Sequence, residues 1–134
     1  ENWRCYSDGA SKLSYNAYFC IEDCDYNSSP AIMYVKVIAK DGYSVEERLE
    51  ENMKEIKNEF PEVQFKEFSF AEVKNNYSAK LYCYNKKCEY LCYLEPKGKL
   101  ESSKYVIIGL SGPEEISPNY EADFIKLVQS FEGI

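Results

Sequence analysis

The sequence predicts an α/β protein of the α+β kind: a mainly antiparallel sheet of about six strands sandwiched between two helices. Three observations carry this. Two stretches, "AIMYVKVIA" at 31–39 and "YVIIGL" at 105–110, are apolar on both faces, the pattern of strands covered on both sides. Two amphipathic segments, Ser44 to Phe60 and Pro118 to Phe131, supply one cover for each face. The stretch between them is cut by turn residues at hairpin spacing, which implies a meander. A chain of 134 residues suits a single domain over 1–134.

The elements follow in order. Residues 1–12 read as polar and irregular, and 1–30 as a whole as an irregular segment tied down by disulfides, with one strand from Leu13 to Ile21. Glu22 to Pro30 collects Asp, Asn, Ser and Pro and reads as a loop. The strand from Ala31 to Ala39 ends at Asp41-Gly42. In the first helix Ser44 and Glu47 have capping-box spacing, and Val45, Leu49, Met53, Ile56 and Phe60 form one apolar stripe. Pro61 stops it. Six glutamates, at 46, 47, 50, 51, 55 and 59, read as its solvated face. Strands are expected over Val63 to Val73, Ser78 to Tyr84, Cys88 to Glu95 and Tyr105 to Leu110, with turns at Asn75-Asn76, Asn85 to Lys87 and "PKGK" at 96–99. The last helix takes Ser117 as N-cap, Pro118 at its first position, and a stripe of Tyr120, Phe124, Leu127, Val128 and Phe131; Gly133 suits its end.

Composition narrows the function. The net charge of -7 disfavours phosphate backbones and anionic membrane surfaces. No apolar run approaches the twenty or so residues that span a bilayer, so no direct membrane insertion is expected. The chain opens on Glu1-Asn2-Trp3, and any targeting segment is expected to have been removed. Cysteine stands at six positions: Cys5, Cys20, Cys24, Cys83, Cys88 and Cys92. An even count in a short chain points to an oxidising compartment, extracellular or in the cell envelope. The sequons at Asn27 and Asn76 agree and are placed in loops. The 13 tyrosines suit half-buried strands and binding faces.

There is no histidine, which removes histidine general bases and the commonest transition-metal ligand. No Gly-rich phosphate cradle occurs. Cysteine spacings of C-x3-C, C-x4-C and C-x3-C do not match zinc knuckles, and the thiols fall in strands and loops rather than at a helix N-terminus. No catalytic residue, metal site or cofactor is therefore expected. A staple fits better. If Asn85-Lys86 is a hairpin tip, Cys83 faces Cys88; another register would free them to reach the N-terminal cysteines. Closing a loop of about sixty residues that way is worth roughly 4 kcal/mol. Sequence does not select among the pairings.

The order of elements resembles the PsbP-like fold family, which takes in the extrinsic photosystem subunit PsbP and the bacterial envelope lipoprotein DcrB. "ENWR" at 1–4 resembles the tail of a "YPxxW" opening. The strand–capped helix–strand run "IMYVKVIAKDGYSVEERLEENMKEIKNEFPEVQFKE", the meander from "SAKLYCY" to "KYVIIGLSGPEE", and the closing "FIKLVQSFE" carry the rest. The resemblance implies a sheet between helices and non-catalytic docking, binding or assembly with an unknown protein or envelope component, in a secreted or lipoprotein setting. The six cysteines are not part of that pattern, and metal sites that rely on histidine do not carry over. The alternative is a secreted inhibitor-like or host-interaction protein with a cystatin-like helix-on-sheet layout and a contact surface at hairpin tips such as 85–87.

Overall fold

The structure, a computed structural model, describes residues 3–6, 17–67, 76–84, 86–94 and 104–130, and of residues 66, 67 and 76–84 the backbone alone. The chain runs β1 (Trp3–Tyr6), β2 (Ala17–Ile21), β3 (Ile32–Ala39), α1 (Val45–Glu59), β4 (Gln64–Glu67), β5 (Asn76–Tyr84), β6 (Lys87–Leu94) and β7 (Lys104–Pro113). A short 3-10 helix (Ser117–Tyr120) then leads into α2 (Glu121–Ser130). The strands form one sheet in the order β1-β2-β3-β7-β6-β5-β4, with every neighbouring pair antiparallel. The α+β sandwich predicted from sequence is the fold observed.

Two apolar layers explain why β3, β6 and β7 are apolar on both faces. On one face Met33, Val35, Tyr90, Cys92, Val106, Ile108 and Leu110 pack with Phe124 and Val128 of α2. On the other Tyr34, Leu91, Tyr93, Tyr105 and Ile107 pack with Val45 and Leu49 of α1, backed by Met53, Ile56 and Phe60. Helices thus lie on both faces, unlike a helix-on-sheet layout with one face bare. α1 carries the chain from β3 to β4, at the far edge of the sheet, and the meander β4-β5-β6-β7 brings it back beside β3.

Local chemistry sets the ends of α1. Tyr43 N–H donates to Lys40 O at 3.0 Å, closing a turn in which Gly42 has φ 86°, a backbone state that glycine adopts freely. Ser44 and Glu47 form the expected capping box: Glu47 N–H donates to Ser44 Oγ at 3.1 Å and Ser44 N–H to Glu47 Oε1 at 2.9 Å. Those bonds hold the Glu47 carboxyl below the usual range. A depressed carboxyl stabilises the fold above its unfolded pKa, and that contribution fades as pH falls through its folded one. Ser44→Ala removes the Oγ that accepts from Glu47 N–H and should cost about 1 kcal/mol at pH 7. The Ser44 N–H that bonds the carboxylate survives that change, so Glu47→Ala is the variant whose penalty in urea unfolding should shrink between pH 7 and about pH 3.

Several expectations are corrected. The N-terminal segment is not irregular throughout: Trp3–Tyr6 is an edge strand, so the sheet has seven strands. It is held by pairing and aromatic packing, with Trp3 edge-on to Tyr120 at 5.3 Å and Tyr6 stacked on Tyr18 at 5.2 Å. It is not disulfide-tied, because Cys5, Cys20 and Cys24 carry free thiols. Asn76 is not in a turn but opens β5, paired with Leu94, whereas Asn27 lies in an exposed turn as expected. Ser117 does not cap the last helix: the chain enters through a 3-10 turn with Pro118 in its first positions, and Ser117 is buried against Gly112. A Cβ at Gly112 would stand 2.9 Å from Ser117 Oγ, so tight packing there outweighs capping. The expected strand residues 13–16 and 68–73, the turn at 96–99, Phe131 and Gly133 lie outside the described residues.

Candidate functional site

Because α1 lies over β5 and β6, its flank faces the exposed side of β3 across β7 in a groove of about 230 Å³. The register explains the floor. Ile38 stands beside Tyr105, and Lys36 beside Ile107, which in turn pairs with Tyr93. These residues share one face through the two-residue strand period. The helix contributes Arg48, Glu51, Asn52 and Glu55, one side of two successive turns.

Two stacked phenols dominate the site. Tyr93 and Tyr105 lie with ring centroids 5.6 Å apart and planes 17° off parallel. Tyr93 is 2% exposed and its hydroxyl accepts a 2.6 Å bond from Asn52 Nδ2, leaving its own proton to donate. Burial first, then the neighbouring Tyr105, pushes its pKa up, against the opposing effect of Asn52. Tyr105 is 4% exposed, and burial raises its pKa too, with Arg48 acting the other way. Its hydroxyl has no hydrogen-bond partner among the described residues, although its side chain lines the groove. Both groups are neutral donors at physiological pH.

Charged groups of both signs rim this floor. Arg48 is held at the β3–α1 turn by Nε and Nη2 bonds to Lys40 O at 3.2 and 3.0 Å, pairs with Asp41 at 3.4 Å, and lies over the Tyr43 ring at 4.7 Å. Lys36 Nζ sits 5.3 Å from the centre of the Tyr34 ring. Tyr34 crosses β7 over Gly109 and its hydroxyl donates to Glu89 on β6. The site thus offers donors, carboxylate acceptors and aromatic surface in a shallow frame.

Of the residues singled out from sequence, Glu51 and Glu55 line this groove, and none of the cysteines or sequon asparagines is among its lining residues. Cys83 and Cys88 are direct cross-strand neighbours, so the hairpin tip is the one that puts them opposite each other, and Cys88 is disulfide-bonded. Cys92 is fully buried under α2, and burial pushes its thiol up to about 12. Cys20 stands near the end of β2, and Cys24 follows it across a turn closed by Cys24 N–H donating to Ile21 O at 3.0 Å. Among the described residues no group of three or more Cys, Asp or Glu is placed to hold a metal. Sequence reasoning missed Lys36, Arg48, Asn52, Tyr93 and Tyr105. The available signal was the alternation of Tyr93 with buried Leu91 and the i,i+4 spacing of Arg48 and Asn52.

No family model matches the chain, and no curated protein matches it. Among solved structures it is similar to the solution structure of cyanobacterial PsbP from Synechocystis sp. PCC 6803. Identity is 14%, the match covers 96% of this chain and 79% of that one, and the TM-score is 0.42. The function is read from the residues themselves.

Proposed function

We propose that this protein is a non-catalytic, PsbP-like binding or assembly domain of an oxidising compartment, secreted or held at the cell envelope, and that it takes its ligand or partner in the groove beside α1. The observation that carries the reading is Tyr105: a phenol 4% exposed, without a partner among the described residues, lining a groove. The Tyr105 side chain lines the groove, where its hydroxyl can donate to an acceptor brought by a ligand. Burial raises both phenols above their usual value, so both are neutral near pH 7 and suit hydrogen bonding rather than proton transfer, which favours binding over catalysis. The oxidising compartment rests on the cysteine count and on the bonded Cys88.

The test is an amide-resolved NMR titration with a library of small hydrogen-bonding fragments. Shifts should gather at Lys36, Asn52, Tyr93 and Tyr105. Tyr105→Phe removes one neutral hydrogen bond and should weaken the best fragment about two- to tenfold. Shifts confined to the hairpin tip around Lys86 would favour the inhibitor-like reading instead. Turnover of a peptide, ester or glycoside substrate would overturn the non-catalytic one.

A further inference from the structure

We propose that Cys20 and Cys24 form an oxidisable dithiol, which closes to an intramolecular disulfide by exchange with a small-molecule disulfide such as oxidised glutathione. Sheet geometry chooses the pair. In the β1–β2 register Cys5 stands beside Phe19 and Arg4 beside Cys20. Trp3 and Phe19 pack toward α2, so Cys5, two residues from Trp3, shares their face. Cys20 is one residue from Phe19 and projects from the opposite face, where Tyr18 stacks on Tyr6. The sheet itself therefore separates Cys5 from Cys20. Cys92 is enclosed in the layer beneath α2, and Cys88 is already bonded.

The chain reverses directly after Cys20. Cys24 N–H donates to Ile21 O at 3.0 Å, and Asp23 takes φ 71°, the left-handed state that lets the turn close. Tyr6 donates to Cys24 O at 3.2 Å, which ties the far side of the turn to β1. The following loop is bonded within itself: Asp25 Oδ1 accepts from Asn27 and Ser28 N–H at 3.0 and 2.8 Å, and Ser29 Oγ accepts from Ile21 N–H at 3.1 Å. Cys24 is held back toward Cys20 by bonds on both sides. The thiols also sense one another, since charge on Cys24 and Asp25 adds to burial in pushing Cys20 up to about 11.

Exposure sets the order of events. Cys24 is half-buried and Cys20 is 0% exposed. The Cys24 thiolate attacks one sulfur of the donor, forming a mixed disulfide and expelling one donor thiolate. The Cys20 thiolate then attacks Cys24 Sγ; the mixed bond breaks and the second donor thiolate leaves. The protein loses two electrons and two protons, and the donor is reduced to two thiols that take them up.

The experiment equilibrates the full chain in a glutathione redox series, blocks free thiols and maps peptides by mass spectrometry. Both cysteines fall between Lys12 and Lys36 with no Lys or Arg between, so trypsin releases them together, and Glu22 offers a cleavage site between them. The expected result is a 13–36 peptide short of two hydrogens, whose halves after cleavage at Glu22 separate only on reduction. Cys20→Ser should trap glutathione on Cys24, while Cys24→Ser should leave Cys20 unmodified in the folded protein. Both thiols blocked at every redox ratio, or either one linked to Cys5, Cys83, Cys88 or Cys92, would overturn the assignment. Glutathione trapped on Cys20 in preference to Cys24 would overturn the order of attack.

Discussion

Gly109→Ala is expected to destabilise this protein by about 3 kcal/mol or more, a large effect for the addition of one methyl group. A Cβ at Gly109 would lie 2.1 Å from Tyr34 Cζ and 2.4 Å from its hydroxyl oxygen. Both residues sit in the middle of the paired strands β3 and β7, directly opposite each other. Backbone movement would have to break that ladder, so the ring must leave instead. It is 3% exposed, and its hydroxyl is bonded to Glu89 across β7, so leaving strips the carboxylate of a donor as well. Better β-propensity for alanine is worth only a few tenths of a kcal/mol here and does not compete. Urea unfolding of Gly109→Ala, Tyr34→Ala and the double variant separates the causes. If the clash is responsible, the double variant is markedly less destabilised than the sum of the singles. Simple additivity would show that the glycine serves something other than the tyrosine's passage.

The second large effect is expected at Phe124→Ala, about 3–5 kcal/mol. Phe124 is 0% exposed and tilts against Tyr90 with ring centroids 5.7 Å apart. α2 has ten residues, too few to persist without the face it buries. Its loss should propagate to β1, because Trp3 packs on Tyr120 and donates from Nε1 to Asp123 Oδ2 at 2.9 Å. Trp3 is the one tryptophan in the sequence, so its fluorescence reports that edge. Phe124→Ala should lower the midpoint of urea unfolding and shift Trp3 emission to the red in the native baseline. Asp123→Ala should cost only about 1 kcal/mol, the net worth of a hydrogen bond. A native baseline unchanged in Phe124→Ala would mean that β1 is held by its ladder alone.

Much of this architecture was legible before any coordinates. The stripe of Val45, Leu49, Met53, Ile56 and Phe60 packs as one layer, and the capping box at Ser44 and Glu47 forms as written. The six glutamates of α1 are all exposed. Other features were not legible. β1 has four residues, too few for alternation to stand out, and owes its place to Trp3 and Tyr6 finding partners on α2 and β2. Ser117 carried the local signature of an N-cap and was overruled by packing against Gly112.

The division follows the range of the forces. Helix caps, helix stripes and doubly apolar strands are settled among residues within a few positions of each other, so the sequence by itself determined the sandwich and its two covering helices. Strand register, and the choice of which strands each helix covers, are collective: a shift of one residue turns every side chain of a strand to the other face. Only the tertiary structure could therefore bring Lys36, Arg48, Asn52, Tyr93 and Tyr105 to one groove and set Cys5 and Cys20 on opposite faces.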